Sequence, residues 1–238
     1  MANGNSLKRS GQAQMLYKEL YNKDVVDGKF GNSQLLHVLQ DNDGYPIARK
    51  KMALGQKDNL FHEDTVHEYV YLVESGILGA WKGAHLVHFI GKGAFIGMEH
   101  ILGNEVSYLT VTALEKAVVW RFLKTDVLWK VMHRQEGLFF LYTDLKGMND
   151  HWMHRCAIQF LDAKEQIIAN IEELGRLYGK ETPQQIILPK VFTKRLLANY
   201  LNLTGTTVYY VCKQLIQEGL LEPVSYQLIV NKDKLTAR

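Results

Sequence analysis

Cysteine is scarce in this chain: Cys156 and Cys212 are the two present, far apart and outside any CxxC pair. That argues against a disulfide scaffold or a cysteine-rich metal site, and makes a reducing cytoplasm the default compartment. Long apolar runs are missing too. No segment approaches the ~20 apolar residues of a bilayer-spanning helix, and the opening MANGNSLKRSGQAQ lacks the apolar stretch of a secretory signal. Residues 1–14 are polar and Gly/Ser-rich, and read as a disordered arm or as residues added ahead of a natural start near Met15. Strong charge of either sign is absent as well: the formal net charge is +3 and the sequence pI about 8.7. So mild a balance permits nucleic-acid binding through a local basic patch without arguing for it. There is no P-loop, no GxGxxG and no recognisable nucleophile turn, so no enzyme is expected.

What is present is enough apolar material for a real core: 47% of 238 residues are hydrophobic. From about Leu60 to Leu123 the texture is β, with EYVYLVESGILGAW, HLVHFIGKGAF, SYLTVTALE and KAVVWRFL punctuated by ESG, KG and GKG. Glycine at such points is free to take positive φ, and short strands with regular turns imply an antiparallel roll. From about Lys124 to Leu161 proline is absent and the period changes. Leu138, Tyr142, Leu145, Asn149, Trp152 and Cys156 are spaced 4, 3, 4, 3 and 4 apart, an a/d seam. A helix with that seam either lies on its own domain or pairs with its twin across a two-fold axis. The flanking polar residues favour the second, with Asn149 setting register.

Residues 162–178 form a further amphipathic pattern, 179–185 a loop and 186–192 an extended segment. The stretch LANYLNLTGTTVYYVCKQLIQEGLL (197–221) then reads as two short helices joined by a tight turn. Thr193 caps the first and Thr204 the second, and Asn202 suits a turn position of unusual φ. Leu197, Leu201, Leu203, Val208, Val211 and Leu215 make the buried set, with Ala198 small where the helices cross. A strand pair at 224–230 follows as a wing. The expected fold is α+β: an N-terminal antiparallel β-roll of jelly-roll type (15–135), a long dimerisation helix (136–161) and a C-terminal winged helix-turn-helix (162–238).

This arrangement resembles the Crp/Fnr superfamily of bacterial transcription regulators over about residues 30–230, through Gly93-Ala-Phe-Ile-Gly97 in the roll and Leu197–Leu221 in the helix pair. Lacking cofactor motifs, it is most similar to the PrfA-like branch. The resemblance implies a cyclic-nucleotide-binding-like roll, a homodimer, double-stranded DNA with a near-palindromic operator as partner, and RNA polymerase as a further partner if the protein activates. Two family motifs are altered. In GAFIGMEHILGNEVSYLTV, Met98 stands where the ribose-binding Glu is expected, with Glu99 one place late, and Val106 stands where the phosphate-binding Arg is expected. A register slip restores a Glu but no Arg. Burying a phosphate without a cation costs several kcal/mol, so cyclic AMP is not the expected effector. Gly97, Met98, Glu99, Ser107, Tyr108 and Trp152 are candidates for another small-molecule pocket, with core packing as the plainer role. No cofactor and no metal is expected, and His62, His67, His151 and His154 read as solvated surface histidines. Cys156 on the seam reads as a small buried residue or a testable redox switch.

The recognition helix is altered as well. Where family members carry R-E-[TS]-[VA]-x-R, this chain has Gly205-Thr206-Thr207-Val208-Tyr209-Tyr210. None offers a bidentate purine contact. Thr193, Lys194, Arg195, Thr204, Gly205, Thr206, Thr207, Tyr209, Tyr210 and Lys213 are the candidate DNA contacts, weighted towards phosphate, with modest A·T-leaning specificity and a contribution from DNA shape. The rivals are a ligand-binding module whose helical domain docks protein rather than DNA, and a metal enzyme on a cupin-like roll.

Overall fold

The computed structural model describes residues 19–42, 45–103, 105–224 and 226–236; the arm expected at 1–14 lies outside them. In chain order these form helices α1 (Lys23–Phe30) and α2 (Asn32–Gln40), then strands β1 (Arg49–Leu54), β2 (Asn59–Phe61), β3 (Tyr69–Ser75), β4 (Leu78–Lys82), β5 (His85–Ile90), β6 (Phe95–Ile96), β7 (Thr110–Ala113) and β8 (Ala117–Leu123). Helices α3 (Lys124–Met132), α4 (Leu138–Ile158) and α5 (Ala163–Tyr178) follow. The chain closes with β9 (Lys180–Glu181), β10 (Gln185–Ile187), α6 (Lys194–Leu201), α7 (Gly205–Gln217), β11 (Ile229–Asn231) and α8 (Lys232–Thr236).

Strand β3 shows why the roll is layered. Its Val70 and Leu72 pack with Phe95, Phe122 and the helices, whereas Tyr71 and Val73 pack with Val111, Val119 and Ile90. Successive side chains of a strand point to opposite faces, and here both faces are covered, so the segment reads as a continuous apolar run. Two antiparallel four-stranded sheets result, ordered β1-β8-β3-β6 and β2-β7-β4-β5. One core lies between them. The other lies outside the first sheet, under α1, α2, α3 and the start of α4, around Phe30, Leu35, Val127, Val131 and Phe140. The architecture is the expected antiparallel jelly-roll followed by helices, with α1 and α2 added at the front.

Glycine does two jobs in the turns. Gly76, Gly83 and Gly93 take φ of +87°, +56° and +85°, as ESG, KG and GKG imply. Gly91 is needed for closeness instead: a Cβ there would lie 2.4 Å from the ring of Tyr178. The Tyr178 hydroxyl donates to the Phe89 carbonyl at 2.8 Å, which ties α5 to the roll.

Helix α4 spans 21 residues, slightly inside the expected 136–161. Leu141, Asp144, Met148, His151, Arg155 and Ile158 turn towards the chain's own roll and C-terminal part. Leu138, Tyr142, Leu145, Asn149 and Cys156 are exposed, with Trp152 half-buried. At 3.6 residues per turn, rows offset by one residue lie about 100° apart around the helix.

The C-terminal core gathers Ile167, Ile171, Leu174, Leu197, Val208 and Leu215 with Ile77, Leu86 and Phe89 of the roll, so the two parts share one apolar cluster. On α7 the buried row is Val208, Cys212 and Leu215, at i, i+4 and i+7; Val211, expected in that row, is half-buried. The expected strand pair at 224–230 shrinks to β11, which pairs with β10 and touches Leu221 through Val230. Pro223 has no N–H to give a ladder, and the Val224 N–H donates back to Glu222 O at 2.8 Å, turning the chain there.

Candidate functional site

The two caps and the turn of the helix pair are built from single side chains. Thr193 Oγ1 accepts from the Leu196 N–H at 3.2 Å, and Thr204 Oγ1 accepts from the Thr207 N–H at 3.0 Å. Asn202 sits between them at φ 56°, ψ 37°, the left-handed conformation a short polar residue tolerates. With Val208, Cys212 and Leu215 facing inward, helical geometry turns Gly205, Thr206, Tyr209, Tyr210 and Lys213 to solvent, and all are exposed. Thr193, Arg195 and Thr204 are exposed, and Lys194 and Thr207 half-exposed. Thr207 Oγ1 lies 2.8 Å from Thr204 Oγ1, so part of its bonding capacity is already used. The Tyr209 and Tyr210 rings meet edge-on at 5.6 Å, and the Lys194 ammonium lies 6.0 Å from the Tyr209 ring. Sequence reasoning passed over Lys190 and Tyr226, whose ammonium and ring lie 5.4 Å apart beside the β10–β11 connection.

The second site is a cavity of about 440 Å³ between the roll and α4. Its walls come from β4, β5 and β7, from the β6 segment, from the α1–α2 junction and from α4. Ile90, Phe95, Ile96, Leu109, Val111 and Met148 make it largely apolar. Of the sequence candidates, Glu99 and Trp152 line it. Gly97, Met98, Ser107 and Tyr108 stand outside the lining. Gly97 takes φ +90° against the His67 ring, Met98 is in the helix-covered core, and the buried Ser107 hydroxyl donates to Leu109 O at 2.7 Å. Tyr108 is exposed, with the Lys82 ammonium 4.2 Å from its ring. Sequence reasoning missed Asp27, His88, Asp144 and His151. The signal available for Asp144 was an acidic residue three after Leu141 and four before Met148.

The polar groups of the lining are ordered. His88 Nδ1 and His151 Nε2 lie 2.9 Å apart. Burial, each other's proximity and Arg155 push His88 down to about 3, and burial with Arg155 and His154 pushes His151 down to about 4. Both rings are therefore neutral at pH 7, one donating to the other. His151 and His67 are not the solvated histidines the sequence implied. His67 stacks on Phe61 at 4.1 Å and is pushed down to about 4, mainly by burial. His151 is turned inward on α4 and His67 on the segment leading into β3, a burial that one-dimensional spacing does not reveal.

Glu99 Oε2 accepts from the Gly97 N–H at 3.0 Å, and Oε1 lies 3.9 Å from His100 Nε2. Lys124 stands close enough to feel the Glu99 charge, its own pKa lowered by burial and its Nζ without a hydrogen-bond partner among the described residues. Asp27 is paired with Lys23. Asp144 has no hydrogen-bond or cationic partner among the described residues, and burial, then the Glu99 charge, raises it to about 7. No Lys or Arg lines the cavity among the described residues. Val106, at the position where a phosphate-binding Arg would be expected, is exposed outside it. A cyclic phosphate therefore finds no cation here, and the lining does not fit that ligand. No group of three or more His, Cys, Asp or Glu side chains able to hold a metal ion occurs among the described residues.

Cavity and helix pair are mechanically joined. Between β4 and β5 the register slips at Val87, an extra residue of bulge form. The bulge leaves His88 and Ile90 on the cavity while Leu86 and Phe89 pack in the C-terminal core. Arg155 of α4 donates from Nη1 to the Val87 carbonyl and from Nη2 to the Tyr200 carbonyl, the latter at 2.7 Å. Asn199 of α6 accepts from the Leu86 N–H at 2.7 Å and donates to Ala84 O at 2.9 Å.

The fold has known counterparts. Residues 51–134 match the family model of the cyclic nucleotide-binding domain. FixK2 from Bradyrhizobium japonicum superposes with a TM-score of 0.70 at 20% identity, over 80% of this chain and 97% of that one. A CooA variant from Carboxydothermus hydrogenoformans gives 0.65 at 17% identity, over 85% and 94%. A CRP/FNR-family transcriptional regulator from Thermus thermophilus gives 0.62 at 17% identity, over 79% and 97%. Comparison with curated protein sequences gives no match. The chain thus carries the fold of the CRP/FNR regulators, and no helix among its described residues is long and apolar enough to cross a membrane.

Proposed function

We propose that this protein is a dimeric, cytoplasmic DNA-binding transcription regulator of the Crp/Fnr type, with an effector cavity that does not take cyclic nucleotides. The observation that carries the reading is helix α7: capped at Thr204, held from behind by Val208, Cys212 and Leu215, and open to solvent along Thr206, Tyr209, Tyr210 and Lys213. Such a helix is presented to a groove, with Lys194 and Arg195 at the start of α6 supplying phosphate contacts. The fold shared with CRP/FNR regulators supports the same reading. The division of labour follows the three segments 15–135, 136–161 and 162–238 as sensor, dimerisation helix and reader. RNA polymerase is a partner if the regulator activates, and the PrfA-like branch is the proposed relationship.

Dimerisation is supported by the seam. Leu138, Tyr142, Leu145 and Met153 are 60%, 57%, 50% and 64% exposed on α4, an apolar row with no cover among the described residues. A helix apolar on two faces needs a second partner, and a twin α4 supplies one. Two-fold pairing then sets two copies of α7 about 34 Å apart, one DNA turn. Trp152 sits at the boundary of cavity and seam, so the cavity's contents are felt at the dimer contact.

The test is a gel shift on the chain's own upstream region. Binding is expected to weaken as salt rises, and Lys194→Ala/Arg195→Ala, which takes two cations from each protomer of the dimer, is expected to lower affinity and flatten the salt slope by about 4. Binding insensitive to salt, or none to any DNA tried, overturns the reading in favour of a protein-docking module.

A further inference from the structure

We infer that the effector of the cavity is a small organic cation, an amine with an apolar body, whose ammonium is held by Asp144 and Glu99. The inference deepens the effector role proposed for this cavity and rests on it. The volume, about 440 Å³, lies in the range of sites for small organic ligands.

Charge decides the ligand class. The lining contains Asp27, Glu99 and Asp144 and, among the described residues, no Lys or Arg. The two histidines add no positive charge at pH 7, since burial and Arg155 keep both neutral. Lys23 is spent on Asp27, and Arg155, the guanidinium nearest the histidines, is engaged by the Val87 and Tyr200 carbonyls. Lys124 stands outside the lining, and the carboxylate its charge meets is Glu99. Asp144 is left with burial and a neighbouring carboxylate but no counter-ion among the described residues, and burial, then the Glu99 charge, holds its proton up to about 7. A buried carboxylate in that condition is stabilised by a cation placed beside it. An incoming anion would add repulsion to desolvation.

Hydrogen-bond capacity agrees. The Thr143 hydroxyl already donates to Phe139 O at 2.7 Å, and the histidine pair uses one nitrogen of each ring on the other. The charged acceptors of the lining are carboxylate oxygens, and the Asp144 carboxylate, with no partner among the described residues, is placed to accept from an ammonium. The remaining walls are apolar, with the Trp152 ring at one end. An aromatic face attracts a cation and also packs an apolar body.

The test uses the full-length protein and isothermal titration. A series of amines from benzylamine to tryptamine is compared with the alcohol and the carboxylate of each skeleton, and with cyclic AMP. At least one amine is expected to bind at least tenfold more tightly than its alcohol, with the carboxylates and cyclic AMP weaker still. Asp144→Asn is expected to reduce amine affinity roughly tenfold, about 1.4 kcal/mol, while leaving the alcohol unchanged; Glu99→Gln has a smaller effect in the same sense. Binding of a carboxylate or cyclic AMP in preference to every amine overturns the inference, as does an amine affinity untouched by Asp144→Asn in a folded variant, or no amine bound at millimolar concentration. DNA binding is scored separately by gel shift. A protein that takes the amine but ignores DNA keeps this inference and loses the regulator reading, and the reverse result does the opposite.

Discussion

His88 and His151 join strand β5 to helix α4 through one ring-to-ring hydrogen bond of 2.9 Å, and both rings are held neutral. The pair sits on the wall of the cavity and one residue from the bulge at Val87 that Arg155 grips. Three consequences for stability and one for assembly follow from this neighbourhood.

Acid opens the β5–α4 contact. Both folded pKa values are depressed, to about 3 and about 4, so between pH 6.5 and 4 the unfolded chain takes up protons the folded chain refuses. The contribution of each ring is intact above pH 6.5 and is lost as pH falls, by up to roughly 2 kcal/mol per ring at pH 5. Asp144, raised to about 7, acts in the opposite sense over the same window. The measurement is therefore urea unfolding of the native chain against His88→Gln/His151→Gln at pH 7 and 5. The native chain is expected to lose more stability on acidification than the double variant.

Removing Arg155 uncouples two carbonyls at once. Val87 O and Tyr200 O each lose a charged donor in a half-buried place, and the 4.1 Å stacking of the guanidinium on Tyr200 goes as well. Arg155→Ala is expected to cost about 2–3 kcal/mol, lowering Tm by roughly 4–10 °C. Arg155→Lys recovers part of this, since a single ammonium cannot fork to both acceptors. Differential scanning calorimetry reads both.

Gly91→Ala drives a methyl into the Tyr178 ring, 2.4 Å from where its Cβ must stand. A loss of about 1–3 kcal/mol is expected from overpacking, and Gly91→Ala/Tyr178→Ala is expected to be less than additive in a double-mutant cycle. Additive losses would show that the contact is not what excludes a side chain at residue 91.

Leu145→Glu places charge in the exposed row of α4 and is expected to turn a dimer into a monomer by sedimentation equilibrium. Thiol labelling supplies a second readout. Cys212 is buried and its thiol is pushed up by burial, while Cys156 is exposed on the seam. In the dimer Cys156 is expected to react slowly, and in the Leu145→Glu monomer fast. A native chain that sediments as a monomer at micromolar concentration removes the two-fold reading.

Local features were legible from spacing. The caps at Thr193 and Thr204, the left-handed Asn202 and the positive-φ glycines each depend on a few neighbouring residues, and each stands where the pattern placed it. The row on α7 was misread by one position, Val211 for Cys212, because i+3 and i+4 are both near neighbours on a helix. The wing was overextended because the turn at Pro223 depends on where β10 lies. The cavity was hardly legible. Asp27, His88, Glu99 and Asp144 stand on different parts of the chain and meet because the roll closes under α4. Glu99 and Trp152 were reached through motif position and seam position, not through any knowledge of what they face.

The sequence by itself determined the β-roll, the long helix and the capped helix pair, because periodicity and turn chemistry are written in short windows. It also determined what was missing, an Arg for a cyclic phosphate and a bidentate reader for purines. Tertiary structure decided the rest. It placed a carboxylate without a partner among the described residues, a neutral histidine pair and a bulge around one cavity, and it welded Leu86 and Phe89 of the roll into the core beneath α7. Burial and counter-ions are properties of the folded surroundings, so the charge of the cavity exists only once the chain has closed around it.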